Sequence, residues 1–196
     1  MTRRILNSSH THLLLAAALS FAIAVPASAA ILHYRAILNG ASEAPPNLSP
    51  GVGFAEITID DVANTMRVQC SFSGLLGNTT ACHIHAPTAV ALTGTAGVAT
   101  TTPYFAGFPI GVTAGLYDNT LNLTLATSYN GTYITANGGT TATAEAALLA
   151  AIAAGKAYFN VHSASVPAGE IRGFLQPFDP TPAVRSSWSR VKSLYR

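Results

Sequence analysis

From Ile31 onward apolar and polar residues alternate in short runs, and each run is closed by turn-forming residues. Met66-Arg67-Val68-Gln69-Cys70-Ser71-Phe72 shows the pattern well: a period of two puts Met66, Val68, Cys70 and Phe72 on one face and Arg67, Gln69 and Ser71 on the other. Runs of this kind predict strands over 31–38, 52–59, 66–73, 81–86, 97–101, 112–117, 121–127, 156–163 and 170–176. Asn39-Gly40, Asp60-Asp61, Gly77-Asn78, Asn130-Gly131 and Asn137-Gly138-Gly139 mark the turns, because Asn and Gly tolerate positive φ. Many short strands at regular intervals predict an all-β sandwich or barrel. One stretch departs from the pattern. Ala144 to Ala154 consists of strong helix formers, with Thr143 as N-cap, Glu145 in the first turn and Gly155 as the stop, so one short helix is expected at about 143–154. Leu148, Leu149 and Ile152 share the face that would dock on the sheet.

Composition adds limits. A chain of 196 residues that is 49% hydrophobic and 9% charged suits one domain with a sizeable core. Arg3 and Arg4, an apolar run from Leu13 to Val25 and the small residues Ala27-Ser28-Ala29-Ala30 have the order of a secretory signal peptide, with cleavage after Ala29 or Ala30. The apolar run is short for a membrane span. The expected organisation is therefore a signal peptide over 1–29, a domain over 30–177 and a basic, flexible tail over 178–196, in an exported, periplasmic or extracellular protein. Without Arg3 and Arg4 the basic and acidic residues balance, and Arg185, Arg190, Lys192 and Arg196 lie in the tail. A near-neutral, mildly acidic body does not suit nucleic acid.

An oxidising address gives the two cysteines meaning. Cys70 and Cys82 both fall on apolar faces, which admits either a Cys70–Cys82 disulfide or two buried thiols. In Ala81-Cys82-His83-Ile84-His85-Ala86-Pro87, Cys82 and Ile84 face the core and His83 and His85 the other side. In Tyr158-Phe159-Asn160-Val161-His162, His162 likewise opposes Phe159 and Val161. Two imidazoles on one strand stand about 7 Å apart at Cα, which two ligands of one ion can span. A third His facing the same way raises the case for a metal site of His83, His85 and His162; a bare surface cluster is the alternative. Imidazole ligands suit copper, zinc, nickel and iron, and the lack of nearby Asp or Glu disfavours calcium or magnesium. The segment 88–111 has no His, Asp, Glu or Cys, so it offers a rim but no second set of ligands. His33 has a narrower alternative. Cleavage after Ala30 would leave it third in the chain, where amine, amides and imidazole can hold Cu(II) or Ni(II); a plain strand residue is the simpler reading.

Gly40-Ala41-Ser42-Glu43-Ala44-Pro45-Pro46, Gly53-Phe54-Ala55, Ser73-Gly74-Leu75, His83-Ile84-His85, and Asn160-Val161-His162 followed by Gly169-Glu170-Ile171-Arg172-Gly173 occur in an order and spacing that resemble the CHRD domain, named from chordin and frequent in secreted bacterial proteins. The resemblance runs from about Tyr34 to Leu175. The family in turn resembles the Cu,Zn superoxide dismutase barrel, an immunoglobulin-like Greek-key fold. By that likeness His83, His85 and His162 stand where copper ligands stand, and Arg172 near the place of an anion-attracting arginine. A structural Arg172 paired with Glu170 is the other reading. The bridging His and the zinc loop of the dismutases have no counterpart here. The resemblance implies an exported protein with a three-histidine copper site, zinc as a substitute, and metal-binding or superoxide-related redox chemistry. The alternative is a metal-free module that uses the 86–111 rim to bind a protein or glycan.

Overall fold

The computed structural model describes residues 31–180. The signal peptide assigned to 1–29 and nearly all of the tail assigned to 178–196 lie outside the described residues. The chain order is β1 (Ile31–Asn39), β2 (Val52–Asp60), β3 (Thr65–Ser73), β4 (Thr79–His85), β5 (Gly115–Asn122), α1 (Gly131–Ala136), α2 (Thr141–Ala153), β6 (Tyr158–Ser163), β7 (Ile171–Phe174) and β8 (Gln176–Pro177). The fold is all-β, as the alternation predicts; α2 is the one helix expected, and α1 is an additional short helix where Asn130-Gly131 marks a turn, its N-cap being Asn130. The strands form one antiparallel sheet in the order β4-β6-β7-β1-β2-β3-β5, with β8 also on β1. β1, β2 and β3 are hairpin neighbours. The chain then crosses to the other end of the sheet for β4 and back again for β5, the long return connections of a Greek-key arrangement.

The sheet curls so that its two ends face each other across the core. Phe105 joins them, its ring stacked on Tyr117 of β5 at 6.0 Å and on Phe159 of β6 at 5.9 Å. The inward residues are those the period of two selects: Leu38, Ile57, Ile59, Met66, Val68, Cys82, Ile84, Phe159, Val161 and Ile171 are buried. Gly173 lets β7 pass close to β1, because a Cβ there would strike the Ile37 carbonyl oxygen.

Some boundaries differ from expectation, each for a local reason. The runs read as separate strands at 112–117 and 121–127 are one strand, β5, which continues through the turn-prone pair Asp118-Asn119. Its pairing with β3 supplies the reason: Arg67 donates to the two Asp118 carboxylate oxygens at 2.8 and 2.5 Å across the ladder, and such tertiary context overrides local preference. Residues 97–101 form no strand. They lie along β4 through isolated bridges and the Ala99 N–H to Ile84 carbonyl bond of 2.9 Å. The main helix starts earlier than expected because Thr140, not Thr143, is the N-cap, the two making a reciprocal capping box. It ends at Gly155, whose φ of +67° is a left-handed C-terminal stop. Ala144, Leu148, Ala151 and Ile152 are buried against the sheet, Leu149 only partly.

Cys70 and Cys82 do point into the core, but they are free thiols and no disulfide joins them. β3 and β4 are not paired, so the two thiols meet only across the core, where no bond joins them. Burial pushes the Cys70 thiol up to about 12, and burial with the nearby Cys70 raises Cys82 further, so neither is reactive near neutrality. At the other terminus Phe178, at the start of the expected tail, is anchored. Its N–H donates to the His33 carbonyl at 3.0 Å and its ring meets His33 edge-on. His33 lies in β1 with its ring at 3.2 Å from the Thr58 hydroxyl. Residues 31–33 are extended and paired with β2, whereas a terminal copper site would need them wrapped around the ion.

A candidate metal centre of three histidines

β4, β6, β7 and β1 are neighbours in register, so side chains on one face form rows. His83, Asn160, Arg172 and Asn39 make one row, His85, Tyr158 and Phe174 the next, and His162 stands beside Ala81. This is the face away from the apolar core, as the alternation predicts. It is not solvated, however. His83, His85 and His162 are only 6%, 9% and 8% exposed, because segments 86–111 and 164–168 fold over them.

The covering segments define the chemistry. The Nδ1 atoms of His83, His85 and His162 lie 3.1, 2.8 and 2.9 Å from the carbonyl oxygens of Pro103, Ala96 and Pro167. A carbonyl only accepts, so each Nδ1 carries the proton and each Nε2 presents a lone pair. These lone pairs converge. One nitrogen from each ring lies within 4.8 Å of the others, the His83 and His162 Nε2 atoms are 3.0 Å apart, and His85 Nε2 is buried without a partner. Two acceptors facing each other at 3.0 Å, with a third orphaned beside them, call for a cation among them. Protons are poorly suited to that place. Burial, with the charges of His85 and His162, lowers His83 to about 3; burial lowers His85 to about 4 and also lowers His162. Neutral imidazoles with Nδ1 tied to backbone carbonyls are the form in which histidine binds metals. The donor set therefore fits an ion. Among the described residues these three are the group of His, Cys, Asp and Glu that could hold one.

Tyr158 and Arg172 complete the surroundings. The Tyr158 ring stacks on His85 with centroids 4.6 Å apart and planes 8° off parallel, and its hydroxyl meets the N–H and carbonyl of Ala96 at 3.3 and 3.4 Å. The Arg172 guanidinium covers the other side of Tyr158 at 4.7 Å, donates to the Ser42 carbonyl at 2.5 Å and to the Gly94 carbonyl at 3.1 Å, and lies 3.7 Å from the Glu43 carboxylate. Arg172 thus faces the histidine side of the sheet but is buried and occupied. Its acidic partner is Glu43, not Glu170. Glu170 instead accepts from the Ser49 hydroxyl at 2.6 Å and the Leu76 N–H at 2.5 Å. Burial lifts the Glu43 carboxyl to about 7 against the lowering pull of Arg172. Tyr158, Glu43 and the three carbonyls escaped the sequence reading. A period of two would have found Tyr158, which is four residues before His162, but no pattern marks carbonyls contributed by irregular loops.

The CHRD domain family matches residues 34–175 of the chain. No curated protein and no solved structure matches it, so the likeness to the superoxide dismutase barrel rests on the motifs alone.

Proposed function

Since the chain belongs to the CHRD family, we propose that it is an exported metal-binding protein whose His83, His85 and His162 hold one copper ion, with zinc as a substitute. The observation that carries this reading is the facing pair of Nε2 lone pairs 3.0 Å apart beside the orphaned Nε2 of His85. A soft-to-borderline all-imidazole donor set favours copper or zinc over harder ions. Export rests on the order of charge, apolar run and small residues before Ile31. A copper ion there would supply one-electron redox chemistry; the chain's own part is to present three neutral nitrogens and to keep bulk water away with segment 86–111. Arg172, buried and held by Ser42, Gly94 and Glu43, positions that segment and is not free to draw anions.

The test is metal content. The mature chain, expressed in the periplasm and dialysed against a weak chelator, is expected to retain about one equivalent of copper or zinc, and His83→Ala almost none. Sub-stoichiometric metal in both would overturn the reading. A superoxide assay on copper-loaded protein then decides whether binding extends to catalysis. A metal-free binding module is the second reading, favoured by the exposed Val90, Leu92, Tyr104 and Ile110 along the rim; it predicts partner binding unchanged by His83→Ala.

A further inference from the structure

The ligand group carries no negative charge. Its three imidazoles are neutral, and each Nδ1–H donates to a backbone carbonyl, of Pro103, Ala96 or Pro167, instead of a carboxylate. Among the described residues no Asp, Glu or Cys belongs to the group. The charge that reaches it from outside is positive. Tyr158 stands between His85 and Arg172, its ring 4.6 Å from the imidazole centroid and 4.7 Å from the guanidinium carbon. Burial lowers His85, and the Arg172 charge acts in the same direction. Asn160 separates His83 from Arg172 along their row, and it is a neutral amide whose buried Oδ1 has no partner. Glu43 offsets the arginine only in part, because burial lifts its carboxyl to about 7.

We infer that the site selects copper in its monovalent state and that the charge of Arg172 sets this preference; the inference rests on the three-histidine metal reading above. An ion among the three nitrogens finds no counter-charge, and its ligands are buried. The desolvation cost of an ion grows with the square of its charge, so a divalent ion loses about four times what a monovalent ion of the same size loses. Its repulsion from Arg172 is about twice as large. Divalent copper and zinc also take a fourth ligand, water or an anion, beside three histidines. Segments 86–111 and 164–168, which cover the imidazoles, restrict its entry. Monovalent copper has a filled d shell and is satisfied by three neutral nitrogens. Sodium and potassium carry the same charge but are hard ions that prefer oxygen ligands. Charge and donor type together therefore single out reduced copper, with zinc a weaker substitute.

Anaerobic titration of the mature chain with Cu(I) against bicinchoninate, and with Cu(II) and Zn(II) against nitrilotriacetate, compares the three ions. The Cu(I) affinity is expected to exceed the other two by about a thousandfold or more. Each tenfold of preference over Cu(II) raises the one-electron potential of the bound copper by about 59 mV, which voltammetry reads independently. Arg172→Gln removes the cation, and Asn160→Asp sets a carboxylate of the same shape beside His83. Each should strengthen Cu(II) binding and narrow the Cu(I)/Cu(II) ratio by about tenfold. Arg172→Lys keeps the charge, so the ratio stays where it is although both affinities fall. Circular dichroism identifies the folded variants, and Asn160→Asp, which changes no volume, decides the matter if Arg172→Gln does not fold. Cu(II) or Zn(II) bound as tightly as Cu(I), or a ratio that folded variants leave unmoved, would overturn the inference while the three-histidine site stands. Failure to bind any of the ions would overturn the site itself.

Discussion

The two halves of one sheet treat the same alternation differently. Across β4-β6-β7 the non-core face carries His83, His85, Tyr158, Asn160, His162 and Arg172, and irregular segments cover it. Across β1-β2-β3-β5 the equivalent face carries Arg35, Ile37, Phe54, Glu56, Arg67 and Leu116 and has no cover. Where the face is covered, the covering backbone supplies partners for the histidine Nδ1 atoms from Pro103, Ala96 and Pro167 and for Arg172 from Ser42 and Gly94, and His85 Nε2 is left without one. Where it is bare, exposed side chains pair with one another, as Arg67 and Gln69 do with Asp118. Asp118 sits in the middle of the strand at the sheet's end, and its charge discourages indiscriminate edge pairing. Burial under a loop thus fixes the histidine tautomers and lowers their pKa values, whereas on the bare face a shift comes from pairing, as Arg67 lowers Asp118.

This contrast can be broken most severely at Glu170. It is fully buried and joins the end of the covered half to Ser49 and Leu76. Burial pushes its carboxyl up, but hydrogen bonds from Ser163, Ser49, Leu76 and Gly77 outweigh that and hold it below the usual range. Glu170→Ala leaves those donors without an acceptor, and a loss of about 3–5 kcal/mol in chemical denaturation is expected.

Arg172→Lys comes next. Lysine keeps the charge but cannot bond Ser42 and Gly94 together while lying flat on Tyr158. Segment 86–111 should loosen, Ala96 should release His85, and metal affinity by chelator competition should fall about 10–100-fold. An unchanged affinity would show that Arg172 is merely structural.

Acid should act on the covered half through its histidines. With His83 at about 3 and His85 at about 4 when folded, and about 6.5 when unfolded, the unfolded chain binds protons that the folded chain refuses. Their stabilising contribution is complete above about pH 6.5 and is lost as pH falls toward 4 and then 3. Glu43 at about 7 has the opposite sign, contributing below its unfolded value and losing that as pH rises through 7. Three lowered histidines outweigh one raised carboxyl. Metal-free protein should therefore lose stability from pH 6.5 to 4.5, with a slope near 1.4 kcal/mol per pH unit for each uncompensated histidine. Urea titrations at several pH values would reveal it, and His83→Gln should flatten the profile.

On the bare half the smallest effect is expected. Arg67→Ala breaks a bridge between half-exposed partners, and the urea midpoint should scarcely move, because exposed ion pairs are screened by solvent and salt.

Much of this was legible in the chain, because a period of two is set locally by backbone geometry. Inward Met66, Val68, Ile84 and Phe159 and outward His83, His85 and His162 follow from it, while the helix before Gly155 follows from its run of strong helix formers. The pairing of distant strands is different, since several partners can satisfy the same alternation. Only the assembled sheet decided that β4 and β6 are neighbours, which brings His162 to His83, and that Arg172 reaches Glu43 rather than Glu170; only the packed core shows Cys70 and Cys82 as free thiols. The sequence by itself determined which residues leave the core. Tertiary structure decided which of them leave water, because burial on the second face depends on where irregular loops lie, and their course obeys no period.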